Sequence, residues 1–230
     1  MGHYVLAGEP PIEIRLKRHA RARRLSLRVA RSGGAVTLTM PQRARRAAAL
    51  DFVHRKEGWI RAQLAACQPE RPVAIGEMLP FRGTPVPLVA GAGRAVRFED
   101  GCLHVPGPPD RIAPRLGGFL KAAARAELAP ACDRHALALG VGFARLSLRD
   151  TRSRWGSCTQ EGRLMFSWRL IMAPPEVLDY VAAHEVAHLR EMNHSRAFWR
   201  LVETLCPDYR RLRSWLRENG AALQSYRFRD

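Results

Sequence analysis

Five consecutive residues constrain this chain more than any others: His184-Glu185-Val186-Ala187-His188. They lie in a stretch, 176–192, where Val177, Leu178, Val181 and Val186 supply an apolar side at helical spacing. Ala173-Pro174-Pro175 opens that stretch, and proline in a first helical turn loses no hydrogen bond. Residues four apart on a helix lie one above the other. His184 and His188 can therefore offer two imidazole nitrogens to one ion, at about 2.0–2.1 Å for zinc. Glu185 stands beside that face, where a carboxylate can reach a metal-bound water without ligating the metal. The surroundings, YVAAHEVAHL, are apolar, so a polar motif there needs a partner to offset its desolvation.

A catalytic zinc takes three protein ligands and keeps one position open. His194 lies six residues after His188, beyond Met192-Asn193. Asparagine tolerates the left-handed conformation of a helix end, so a chain turning back there can bring His194 to the same ion. Two carboxylates compete for the third place: Glu203 on the following helix, and Glu191 one turn after His188, which could also act in support. No cysteine lies near enough to close a structural site. The five cysteines (67, 102, 132, 158 and 206) are odd in number and scattered, without a C-x-x-C pair. They read as free thiols.

The rest of the chain reads as α+β. Residues 12–40 alternate in short apolar runs with a hairpin turn at Ser32-Gly33-Gly34. A helix is predicted over 43–67, ended by Pro69 and Pro72. Short strands follow over 73–105, and PGPPDRIAPRLGG (106–118) reads as a linker. Beyond it come a helix over 119–139 stopped by Gly140, strands at 144–151 and 163–172 joined at Gly162, and the motif helix. Two more helices are expected, 195–205 and 209–219, the last stopped by Gly220. The expected division is a β-rich region with one helix over 1–112 and a metal-binding half over 113–230. No internal repeat is visible.

Charge is the compositional outlier. Lys plus Arg number 38 against 21 acidic residues, giving +17, and only positions 17, 56 and 121 are Lys. Such a balance attracts polyanions, and the run RHARARRLSLR (18–28) could be a nucleic-acid face or a strand edge guarded by charge. No window approaches eighteen consecutive apolar residues and the N-terminus lacks a long apolar core, so no membrane partner is expected and the expected address is the cytoplasm.

The segment TRSRWGSC (151–158), followed by RLIMAPPEVLDYVAAHEVAHL, NHSRAFW and CPDYRRLRSWL, resembles the YgjP-like zinc metallopeptidase family, kin of the SprT-like proteases. RRLSLRVARSGGAVTLTMP, FVHRKEGWI and GEMLPFRG extend the resemblance, less specifically, over nearly the whole chain. It implies one zinc per chain held by His184, His188 and His194, with Glu185 as base and acid. It implies a zincin-like catalytic half with a short sheet packed on the motif helix. One departure is visible: Ser167 stands in FSWRL where the family pattern leads us to expect Asn.

The expected activity is hydrolysis of peptide or protein substrates through a metal-activated water. Arg154, Tyr180 and Tyr209 are candidate donors to the developing oxyanion. The turn at 154–158 could pair its backbone with an extended peptide, although Trp155 and Gly156 read first as a packing residue and a tight turn. Cys158 lacks a paired histidine and is not expected to be a nucleophile. Two rival readings are a nucleic-acid-associated protease and a zinc-containing binding or assembly factor with little turnover.

Overall fold

The computed structural model describes residues 2–30, 33–65, 67, 69–151 and 153–228. Two compact units divide the chain, Met1–Arg71 and Pro72–Asp230. The boundary expected after residue 112 falls instead inside a helix. Residues 78–105 share a core with the second unit because their buried leucines and valines face its helices.

In the first unit, strands β1 (Gly2–Leu6), β2 (Ile12–His19), β3 (Ser26–Val29) and β4 (Val36–Pro41) form one sheet in the order β1-β2-β4-β3. β2 and β4 run parallel and the outer pairs antiparallel. Alternation sends Ile12, Ile14, Leu16, Val36, Leu38 and Met40 inward, onto Ala49, Val53 and Ile60 of two helices. These are α1 (Arg46–Arg55) and α2 (Glu57–Ala65), so the single helix predicted over 43–67 is broken at Lys56. Gly33 and Gly34 take positive φ in the β3–β4 turn, as hairpin geometry demands. Ser32 of that expected turn lies outside the described residues.

The second unit begins with β5 (Met78–Phe81), β6 (Thr84–Ala90), β7 (Arg97–Glu99) and β8 (Cys102–Val105), ordered β5-β6-β8-β7. The expected linker at 106–118 is not one. Helix α3 runs from Pro109 to Leu139, and Pro114 and Pro130 lie within it. Ile112, Leu116, Leu120, Ala124 and Leu128 are buried at four-residue spacing, and that burial outweighs the prolines' missing donors. Gly140 ends it in the left-handed conformation, as expected.

A three-stranded sheet follows: β9 (Arg145–Arg149), β10 (Gly156–Cys158) and β11 (Arg163–Ser167), with β11 central. β9 and β11 are parallel, so Gly162 does not join them; it turns the chain between β10 and β11. The strand expected to continue to residue 172 becomes a 3-10 turn, Trp168–Met172. Three helices complete the unit: α4 (Pro175–Ala187), α5 (Arg196–Leu205) and α6 (Tyr209–Ser225). Gly220 does not stop α6. It lies inside the helix, where a methyl group would sit 3.0 Å from the Trp155 ring.

Two contacts set α4 in place. The β5–β6 turn donates from Arg82 N–H to Ile171 O (2.8 Å) and from Gly83 N–H to Met172 O (3.3 Å). His135 and Arg134 of α3 hold Asp179 of α4 at 3.1 and 2.8 Å. Asp179 is partly desolvated, which raises its pKa, but the His135 and Arg134 bonds win and hold the carboxyl below its ordinary range. Among the described residues no helix is long and apolar enough to cross a membrane.

Candidate metal centre

α4 is buried nearly all round, from Val177 to Ala187, which explains why its sequence carries so few polar residues. It ends earlier than predicted. His188 is its C-cap, not a mid-helix residue, and the chain turns through 188–194. That early end allows Nδ1 of His188 to lie 2.9 Å from the Glu191 carbonyl. A carbonyl only accepts, so Nδ1 carries the hydrogen and Nε2 keeps its lone pair. Residue 191 thus supports the site through its backbone. Asn193 Oδ1 accepts the Ser195 N–H (3.0 Å), and Ser195 Oγ caps α5 by accepting the Phe198 N–H (3.3 Å).

This turn brings His194 to the helix histidines. Available nitrogens of His184, His188 and His194 all lie within 4.8 Å of one another. The Nε2 atoms of His184 and His194 are 3.2 Å apart. Among the described residues this is the only such cluster. Glu203, the expected rival, is exposed and pairs with Arg210 at 3.5 Å.

Phe198, fully buried, makes the floor: its ring lies 4.9, 4.4 and 4.8 Å from those of His184, His188 and His194. Trp199 stacks on His194 (5.7 Å). Burial and the neighbouring histidines push His184 down to about 3, and burial also lowers His188. Both imidazoles are therefore neutral, the form that ligates. Nδ1 of His184 is buried without a hydrogen-bond partner. Three converging imidazoles fit a divalent ion of borderline softness.

Glu185 is 5% exposed. Burial pushes its carboxyl up to about 8, partly offset by the charge of Arg154. Strand β10 lies directly against it: a methyl group at Gly156 would sit 2.6 Å from Glu185 Cδ. The expected tight turn is therefore not what Gly156 serves. It sits in a strand and lets the backbone close on the carboxylate. Trp155 packs against the core, as expected, and its carbonyl accepts the Ser167 N–H (2.8 Å). Arg152 of this segment lies outside the described residues.

The candidate oxyanion donors separate. Tyr180 is buried, its ring edge-on to that of His184 with centroids 6.0 Å apart, and burial pushes its hydroxyl up to about 12. Tyr209 is buried and its hydroxyl accepts from Arg210 Nε (3.2 Å). Arg154 is exposed beside Glu185. The sequence reading missed Arg213, whose guanidinium lies 4.6 Å over the Trp199 ring and whose charge acts on both His184 and Tyr180. No local motif marks it. Cys158 is not activated, since burial and the Glu185 charge push its thiol up to about 11.

A family description, "YgjP-like, metallopeptidase domain", matches residues 23–219. The chain belongs to the YgjP-like family. Membership implies a metal ion, and the His184–His188–His194 cluster could hold one. A crystal structure of the metallopeptidase zymogen abylysin from Pyrococcus abyssi is 20% identical, covers 39% of this chain and 93% of its own, and superposes with a TM-score of 0.36. No curated protein matches significantly. Within this YgjP-like chain, Ser167 at the expected Asn position is fully buried and its Oγ has no partner.

Proposed function

We propose that the chain is a zinc-dependent peptidase of the His-Glu-x-x-His type, with His184, His188 and His194 as ligands and Glu185 as general base. The observation that carries this reading is the convergence of three imidazoles beside a buried carboxyl raised to about 8. Bound zinc supplies Lewis acidity toward the scissile carbonyl and an attacking water.

The chain's own residues do the rest. The Glu191 carbonyl orients His188, and Phe198 fixes the ring planes. Glu185 takes a proton from the attacking water and returns it to the leaving amine. Its raised pKa suits a group that must both accept and release a proton near neutrality. β10 is an edge strand of half-buried residues beside Glu185, and its free edge suits an extended peptide added as a strand. The five free cysteines fit a reducing cytoplasm.

A second reading adds nucleic acid. Arg15 and Arg28 both pair with Thr37 across the first sheet, which sets them in one exposed row beside Lys17. It is tested by salt-dependent binding to an oligonucleotide.

The peptidase reading is tested by metal content of wild type and His188→Ala, purified without added metal or a histidine tag. The expected result is about one zinc per chain, lost in the variant, with peptide cleavage abolished in Glu185→Gln. Wild type that holds no zinc after reconstitution would overturn it. Zinc without hydrolysis would leave a binding or assembly factor.

A further inference from the structure

Beside the histidine cluster, α5 and the start of α6 enclose a cleft of about 500 Å³, lined by Arg196, Trp199, Arg200, Glu203, Tyr209 and Arg210. Residues 196, 199, 200 and 203 fall on one face of α5, because three- and four-residue steps share a side of a helix. Arg213 adds a further guanidinium on the Trp199 ring. Against these four cations the cleft holds one carboxylate, Glu203, paired with Arg210. Among the described residues, Arg196 and Arg200 have no acidic partner, and both are exposed.

Trp199 links the cleft to the histidines. Its ring stacks on His194 at 5.7 Å and on Tyr209 at 5.3 Å. An extended peptide advances about 3.3 Å per residue, so a chain crossing the site brings a side chain over the cleft within roughly two or three residues of the scissile bond. The aromatic rings are already engaged. Trp199 carries His194, Tyr209 and Arg213, and Tyr209 carries Trp199 and Arg210. Recognition of single-stranded nucleic acid relies on ring faces open to bases. A cleft with engaged rings and unpaired guanidiniums suits a carboxylate instead.

We infer that this cleft binds an acidic side chain of the substrate, so that the protein prefers peptides carrying Asp or Glu on one flank of the cleaved bond. This rests on the peptidase reading and names the substrate class of that site.

The test reads binding, not turnover. Zinc-loaded Glu185→Gln, as the full chain, is titrated into fluorescent decapeptides bearing Asp and Glu, and into analogues bearing Asn and Gln. The acidic peptide is expected to bind about tenfold tighter at low salt, since each exposed pair contributes a few-fold. Adding Arg196→Gln and Arg200→Gln is expected to bring that ratio close to one. Removing two arginines elsewhere, Arg45→Gln and Arg55→Gln, is expected to keep most of it, which separates the cleft from the general charge of +17. Reversal, Arg196→Glu with Arg200→Glu, is expected to shift preference to a Lys-bearing peptide, a gain that misfolding cannot mimic.

Equal binding of acidic and neutral peptides would overturn the inference, as would a ratio that survives the α5 substitutions. It would also fall if a single-stranded oligonucleotide displaced the acidic peptide through the same two arginines. A wild type that cleaves peptides without acidic preference would sink this inference and leave the peptidase reading standing. Selective binding by a chain that never cleaves would do the reverse.

Discussion

The two four-stranded sheets have the same strand order and the same strand directions, yet they serve different ends. In each, an antiparallel pair and a second antiparallel pair meet through a parallel seam, β2 with β4 in one and β6 with β8 in the other. The tip of the first hairpin is gripped in both. In the first unit, Arg61 of α2 donates to the carbonyls of Ala7 and Pro10 at 3.1 and 3.0 Å. In the second, the Arg82-Gly83 tip bonds to residues 171 and 172, just ahead of α4. The first sheet closes its core on its own two helices. The second shares one core with α3, α4 and the residues around the histidines. A topology is a packing solution, and what it does depends on what its buried face and its turns are joined to.

Four expected outcomes break or sharpen this comparison. The largest effect is expected where the second unit touches its chemistry. Gly156→Ala forces β10 away from Glu185 and should lower kcat of peptide cleavage about a hundredfold, because displacement by an ångström is enough. Gly34→Ala, in the first unit's hairpin at φ +61, should lower stability and leave kcat intact. A loss of kcat in Gly34→Ala would end the functional separation of the two units.

Matched core truncations come next. Leu38 on β4 and Leu103 on β8 are both 0% exposed, and cutting either to Ala should cost about 2–5 kcal/mol. Thermal unfolding with and without zinc tells them apart. Leu103→Ala should weaken zinc binding together with stability, whereas Leu38→Ala should leave zinc affinity unchanged.

Third is the carboxyl itself. Glu185 in the metal-free fold sits at about 8 against an ordinary 4.5. Between those pH values the unfolded chain is ionised and the folded chain is not, so folding takes up a proton and stability falls as pH rises. Metal-free Glu185→Gln should therefore match wild type at pH 4 and exceed it by roughly 3 kcal/mol at pH 7, with no further gain above about pH 8. Urea unfolding across that range measures it; equal stability at pH 7 would refute the burial argument.

The smallest effect tests the two hairpin tips. Gly83→Ala meets Pro174 Cα at 2.9 Å and a φ of +79, and should cost about 1–3 kcal/mol and loosen zinc. Arg61→Ala should cost only about 1 kcal/mol, without effect on zinc, since two of its three bonds are at the surface. Zinc affinity by competition with a chelator separates the two.

Much of this architecture is legible in the residues. The strands of the first sheet follow from alternation, the α3 stop from Gly140, and the placing of three histidines at one point from their spacing and a turn at Asn193. The missed features share one cause: local signals of the wrong sign overruled by burial. Proline and glycine between 106 and 118 read as a linker, although Ile112 and Leu116 already kept helical spacing with Leu120. Gly220 read as a stop because nothing local shows Trp155 packed on it. The repeated sheet topology left no trace as a sequence repeat, since pairing order is a property of the sheet.

What the sequence by itself determined is the chemistry on offer: two imidazoles and a carboxyl on one helix, a third imidazole beyond its end, and a large positive charge. Helical periodicity is local, so residue types at fixed spacing carry that much. Tertiary structure decided the environment of those groups. It buried Glu185 under β10, oriented His188 on the Glu191 carbonyl, left Glu203 outside the cluster, and set Arg213 and the arginines of α5 beside the histidines. Desolvation and long-range contact create those features, and neither is a property of neighbours in the chain.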